Sequence, residues 1–151
     1  MLRFSHDVQL IEIEEWQKYY TPPPSVAKDD LILDVGAREG DSALFYALSG
    51  YRNLRLVEPN PMYFNNLIHN VASLNKFGIE IDLRLHPFRP DEQLPGVKFI
   101  KFDCEGCESE IDLDKLTVPW VAEMHELKPA KGERHIYDYA AVTGYRKSSL
   151  I

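Results

Sequence analysis

The run Leu31-Ile32-Leu33-Asp34-Val35 stops on Gly36, and a segment with helical spacing opens at Asp41. An apolar run without polar alternation suits a strand covered on both faces of a parallel sheet. Asp41 is placed to cap a helix carrying Leu44, Phe45 and Leu48, with Gly50 to stop it. The unit then repeats. Leu54-Arg55-Leu56-Val57-Glu58 reads as a second strand. Asn60 and Pro61 form an N-cap and first-turn pair, and Phe64, Leu67, Ile68, Val71 and Leu74 mark one helix face. Strands alternating with helices imply right-handed βαβ units, hence an α/β fold with a mostly parallel sheet and helices on both faces.

Further strands are expected at Ile79–Leu85, which alternates strictly, at Val97–Phe102 and at Trp120–Met124. A short helix is expected near Glu108–Ile111. Ile136, Tyr139, Ala140 and Thr143 suggest a last helix ended by Gly144, and Tyr145–Ile151 a sixth strand. Before the first strand, Leu10, Ile13, Trp16 and Tyr20 recur at helical spacing among glutamates, and Pro22-Pro23-Pro24 cannot continue a helix. Residues 1–24 are therefore read as an amphipathic helix and proline-rich linker that covers an edge or roofs a site, and residues 25–151 as the folded domain.

Size and charge limit the function. The 151 residues suffice for one well-buried domain. With 44% hydrophobic and 27% charged residues and no apolar stretch of the roughly 18–20 residues that span a bilayer, the expectation is a globular, cytoplasmic protein without a membrane partner. The first residues turn polar at once, unlike a signal peptide. A net charge of -7 and scattered arginines disfavour nucleic acid, whose binding needs clustered cations. A homo-oligomer stays open, since Trp16, Trp120 and the sheet edge suit either an interface or ordinary core. Cys104 and Cys107 make one Cys-x-x-Cys pair, half of a zinc site, around Glu105-Gly106 rather than a thioredoxin-like turn. The favoured reading is two small residues in a tight turn.

Ligands of such sheets bind at the carboxyl ends of the strands, near the reversal of strand order. The first such loop is Asp34-Val35-Gly36-Ala37-Arg38-Glu39-Gly40-Asp41. Gly36 permits a tight turn, Ala37 and Gly40 leave room for a ligand, and amides of the following helix point into the site. Arg38 and Asp41 stand where a dinucleotide fingerprint needs glycines, and no phosphate-loop lysine follows. Glu58 comes about 20 residues beyond the glycine turn, where a carboxylate accepts both ribose hydroxyls. The third loop, Lys101-Phe102-Asp103-Cys104-Glu105-Gly106-Cys107-Glu108, crowds charges after a buried strand.

In this order, Asp34-Val35-Gly36-Ala37-x-x-Gly40-Asp41, Glu58-Pro59-Asn60-Pro61, Lys101-x-Asp103-x-Glu105-Gly106-x-Glu108 and Glu123-Met124-His125 resemble the FkbM-type methyltransferases that use S-adenosylmethionine (SAM). The likeness covers about residues 30 to 127, and the third motif is its specific part. It implies a three-layer Rossmann-like methyltransferase fold, SAM as cofactor, and methylation of a hydroxyl on a small molecule or glycan. Asp34, Gly36, Ala37, Arg38, Gly40, Glu58, Asn60 and Asp103 would bind the cofactor. His125, Asp103 and Glu105 would serve catalysis, with His125 the first candidate for the base. Lys101 is expected to pair with nearby carboxylates. No metal site is assigned, although Asp103, Glu105, Glu123 and His125 carry donors that suit a hard divalent ion. The sequence departs from the family at Arg38, where a small polar residue is usual, and in the short connection Leu85 to Pro95. It is also read as C-terminally shortened, ending one strand past the last helix. The alternative is a catalytically degenerate member acting as a binding or interaction module.

Overall fold

The protein, as a computed structural model, is described for residues 1–5, 16–107, 111–125, 133–138 and 147–150. The strands are β1 (Leu31–Val35), β2 (Asn53–Val57), β3 (Glu80–Arg84), β4 (Val97–Phe102), β5 (Trp120–His125), β6 (Glu133–Asp138) and β7 (Lys147–Leu150). The α-helices are α1 (Asp41–Leu48), α2 (Phe64–Asn75) and the four-residue α3 (Pro90–Gln93). One sheet holds all seven strands in the order β3-β2-β1-β4-β5-β6-β7. β1 to β5 run parallel. The chain winds outward from β1 through β2 to β3, then crosses back to lay β4 on the other side of β1. The reversal between β1 and β4 opens a crevice at their carboxyl ends, as expected for a doubly wound sheet.

The β–α units follow their sequence signals, with local corrections. Gly40, not Asp41, is the N-cap of α1; it adopts φ 88°, and Asp41 occupies the first turn, where its charge faces the positive end of the helix. On α1 the buried apolar side chains are Ala43, Phe45 and Tyr46, Asp41 and Ser42 are buried in the first turn, and Leu48 is exposed. Asn60 accepts from the Met62 amide and opens a 3-10 turn, Pro61–Tyr63, that leads into α2. On α2, Ile68 is exposed and Asn70 is buried beside Leu67, Val71 and Leu74.

The C-terminal part departs further. Ile136 lies in β6, an extended strand antiparallel to β5, where a helix was expected. The helical spacing there is overridden by the open edge of β5, whose backbone groups β6 satisfies. β7 pairs antiparallel with β6 and falls within the strand expected at Tyr145–Ile151. Tyr139, Ala140, Thr143 and Gly144 lie outside the described residues, as do Leu10, Ile13 and 108–110. The expected short helix near Glu108–Ile111 therefore goes undescribed over most of its length, and a 3-10 turn follows at Leu113–Lys115. Residues 16–19 are helical, in keeping with the N-terminal helix.

The two faces of the sheet are covered unequally. One face packs Ile32, Leu54, Leu56, Phe99 and Val121 against α1, α2 and Tyr20. The other packs Leu33, Ile100, Phe102 and Trp120 against Phe88, Leu94, Leu113 and Leu116, from short turns and α3. Among the described residues no helix is long and apolar enough to cross a membrane.

Candidate functional site

The glycine turn is pinned onto the end of β2. The amides of Gly36 and Ala37 both donate to the Val57 carbonyl, at 2.9 and 3.1 Å. Gly36 has φ 87°, and a Cβ built on it would overlap the carbonyl oxygen of Asp103. The glycine is thus required for two loops, after β1 and after β4, to lie in contact. Arg38 follows in the left-handed region at φ 48°, uncommon for a residue with a side chain. That conformation turns its amide toward Glu58, which accepts it at Oε2, 2.9 Å away. Oε1 of Glu58 accepts the Asn60 amide at 2.8 Å. Glu58 is aimed at the turn and is 4% exposed. Burial pushes its pKa up, and the two amide bonds only partly offset this.

Asp34 faces a different environment. It is fully buried and pairs with the Lys101 ammonium at 2.9 Å; Lys101 itself is 2% exposed. Ser42 donates its hydroxyl to the other oxygen of Asp34 at 2.5 Å, and Lys101 also donates to the Gly36 carbonyl at 3.2 Å. Burial alone would lower the Lys101 pKa, but the surrounding carboxylates of Asp34, Asp103 and Asp41 push it up to about 12. This knot joins β1, β4, the glycine turn and the first turn of α1 through a single ammonium. Asp41, beside it, is raised by burial and held back by Lys101.

Next to the knot lies a polar cavity of about 270 Å³, bounded by Trp16, Tyr20, Arg38, Asp103, Glu105 and Glu123 among others. Parallel pairing of β4 with β5 sets Phe102 beside Ala122, which brings Asp103, just past the end of β4, close to Glu123 within β5. The Tyr20 hydroxyl lies between them, 3.3 Å from Asp103 Oδ2 and 3.1 Å from Glu123 Oε2. Burial, then the two carboxylates, raise the Tyr20 pKa well above its ordinary value, so the phenol remains a neutral donor. Arg38 extends its guanidinium over the Tyr63 ring, 5.4 Å from its centre. His125 is the last residue of β5, and its backbone lies opposite Glu133. No set of three or more His, Cys, Asp or Glu side chains able to hold a metal ion is gathered among the described residues.

Of the residues singled out from sequence, Asp34, Gly36, Ala37, Arg38, Gly40, Glu58, Asn60, Asp103 and Glu105 thus meet at the ends of β1, β2 and β4. Three others escaped notice. In the sequence Tyr20 is one residue of a helix stripe, yet in the fold it bridges the carboxylates of Asp103 and Glu123. Ser42 carried no signal beyond helix position. Asn70 accepts the Arg3 amide and donates to the carbonyls of Arg3 and Glu39, each at 2.7 Å, which ties residue 3 and the glycine turn to α2. Its place between Leu67 and Leu74 on the buried face was the one available clue. The cysteines also differ from expectation: Cys104 and Cys107 form a disulfide across the Glu105-Gly106 turn.

No protein-family model and no curated protein matches the sequence. Solved structures do match the fold. The C-terminal domain of precorrin-6Y C5,15-methyltransferase from Rhodobacter capsulatus aligns at TM-score 0.54 and 18% identity, over 68% of this chain and 58% of that one. An RNA methyltransferase from Salinibacter ruber, in complex with S-adenosyl-L-homocysteine (SAH), aligns at 0.53 and 12%, over 83% and 82%. Geranyl diphosphate C-methyltransferase from Streptomyces coelicolor A3(2), in complex with Mg2+, geranyl diphosphate and SAH, aligns at 0.51 and 12%, over 75% and 43%. The chain therefore spans little more than half the length of the Rhodobacter domain. At these identities the likeness establishes the fold: an α/β methyltransferase-like Rossmann fold built on five parallel strands.

Proposed function

We propose that the protein is a SAM-dependent methyltransferase of the FkbM type, acting on a hydroxyl of a small molecule or glycan. The observation that carries this reading is Glu58, a carboxylate aimed at the glycine turn and held by two backbone amides with no cation among its hydrogen-bond partners. A carboxylate has about four acceptor positions, so each oxygen retains one for a ribose hydroxyl. The cavity bounded by Arg38, whose amide Glu58 accepts, sets four carboxylates against two cations, a balance that suits a positively charged sulfonium.

Glu58 would hold the ribose, the turn from Gly36 to Gly40 with Ala37 and Asn60 would shape the nucleoside cradle, and Arg38 and Asp103 would face the amino-acid end. When bound, SAM supplies a methyl group that already carries its leaving group. The chain's own residues have to hold the acceptor in line and take its proton. Trp16 and Tyr20 line one side of the cavity. Tyr20, whose phenol stays protonated, positions Asp103 and Glu123 rather than acting as base. His125, with Asp103 or Glu105 to orient the hydroxyl, is the proposed base.

Calorimetric titration with SAH tests cofactor binding, and transfer of label from methyl-labelled SAM to a metabolite or glycan extract tests activity. Saturable SAH binding with label transfer is the expected result. Binding without transfer to any extract would favour a catalytically degenerate binding module, and no binding would remove both readings.

A further inference from the structure

We propose that the Cys104–Cys107 disulfide is a redox-active site whose opening by a dithiol reductant loosens the cofactor cavity. The proposal rests on the methyltransferase reading for its ligand. Three observations lead to it. The bridge closes a turn with a sequence separation of 3. Cross-linking so short a loop removes little entropy from the unfolded chain, so the bond is poorly placed as a staple for the whole fold and acts on local geometry instead. Both cysteines are half-buried, within reach of a small reductant.

The turn it closes also lies between two parts of the site. Glu105, held at φ 54° inside the ring, bounds the polar cavity. Only two non-glycine residues among those described adopt positive φ, and the other, Arg38, bounds the same cavity. Immediately before the ring, the Asp103 carbonyl rests on Gly36, and the Asp103 amide donates to the Val35 carbonyl at 2.9 Å. Cys107 borders an apolar cleft of about 410 Å³ on the other side. The disulfide therefore holds a strained residue and one wall of the cavity in place.

The chemistry balances through thiol–disulfide exchange. One thiolate of the reductant attacks a cysteine sulfur and forms a mixed disulfide. Its second thiol then displaces that cysteine and leaves the reductant as a disulfide. Two electrons and two protons end on Cys104 and Cys107 as thiols. The covalent ring no longer constrains Glu105 to the left-handed region, which side chains disfavour.

The test uses the full chain purified without reductant. Iodoacetamide should label neither cysteine before treatment with dithiothreitol and both afterwards, read as intact mass. Reduction should weaken SAH binding by on the order of fivefold or more, the lower end of the usual coupling between sites. A C104S/C107S variant should bind SAH as weakly as the reduced protein and ignore dithiothreitol. Hydrogen exchange at the Asp103 amide should quicken on reduction, a readout that needs no ligand. Free thiols in the air-equilibrated protein, or equal SAH affinity in the two forms, would overturn the proposal. Should SAH bind neither form, the methyltransferase reading fails, and unchanged exchange at Asp103 would then overturn the switch as well.

Discussion

Asp34 and Glu58 stand at the tips of neighbouring strands, both withdrawn from water, and the protein treats them in opposite ways. Asp34 has an ammonium at 2.9 Å and a hydroxyl at 2.5 Å, and is fully buried. Glu58 has two backbone amides and no cation among its hydrogen-bond partners. Burying a carboxylate is costly, and a buried partner of opposite charge is the usual remedy. Where the fold supplies that remedy, the carboxylate belongs to the architecture. Where it supplies only neutral donors, the carboxylate keeps acceptor capacity for something that arrives from outside. Under the proposed function, the contrast is between an acid that the fold itself pairs, Asp34, and an acid held for a ligand, Glu58.

Removing the cation should show the largest effect. Lys101→Met leaves Asp34 buried without its ammonium and should cost about 3–5 kcal/mol of stability. Adding Asp34→Asn should return much of that loss, because neither charge is then stranded; denaturant unfolding of the four variants in a double-mutant cycle measures the coupling. If Lys101→Met were no more damaging than an ordinary surface change, the division between the two acids would fail.

Glu58→Gln should behave in the reverse sense. It preserves size and one acceptor, so stability should change by no more than about 1–2 kcal/mol, while SAH binding weakens by roughly 10- to 100-fold, the worth of a charged hydrogen bond. Calorimetry and thermal unfolding of the same preparation check both halves. Ser42→Ala sharpens the comparison on the structural side. It removes one hydrogen bond to Asp34 while leaving the ammonium, and should cost about 1.5 kcal/mol in denaturant unfolding.

An effect close in size to that of Ser42→Ala concerns alkaline pH. The Lys101 pKa is about 12 in the folded protein against an ordinary 10.5. The ammonium is therefore favoured by folding. Its contribution is complete below pH 10.5 and disappears as pH rises toward 12. Thermal unfolding of the wild type should lose stability across that window, and the Asp34→Asn/Lys101→Met protein should lack that part of the loss.

Much of this was legible in the sequence because it is local. The run ending at Gly36, the Asn60-Pro61 pair and the glycine that ends α1 each fix a strand end or helix end through backbone rules alone. The place of Glu58 against the glycine turn was legible because its distance from that turn follows from one βαβ unit. The pairing of Lys101 with a nearby carboxylate was expected, but its partner, Asp34, lies 67 residues earlier and is chosen by the β1–β4 crossover. Tyr20 reaches Asp103 and Glu123 across separations of 83 and 103, where no periodicity operates. Asn70 looks like a break in an apolar face until its three partners are in view. Ile136 sits in a strand rather than in the helix its spacing suggests for a related reason: helical spacing is a local signal, and an unpaired edge on β5 is a tertiary one.

The most direct measurement is a crystal structure of the chain grown with SAH. The division of roles predicts both ribose hydroxyls within hydrogen-bond distance of Glu58, with the Asp34–Lys101–Ser42 knot intact beneath them. A nucleoside bound elsewhere, or Glu58 turned to pair with a lysine or arginine while Asp34 meets the ligand, would contradict it.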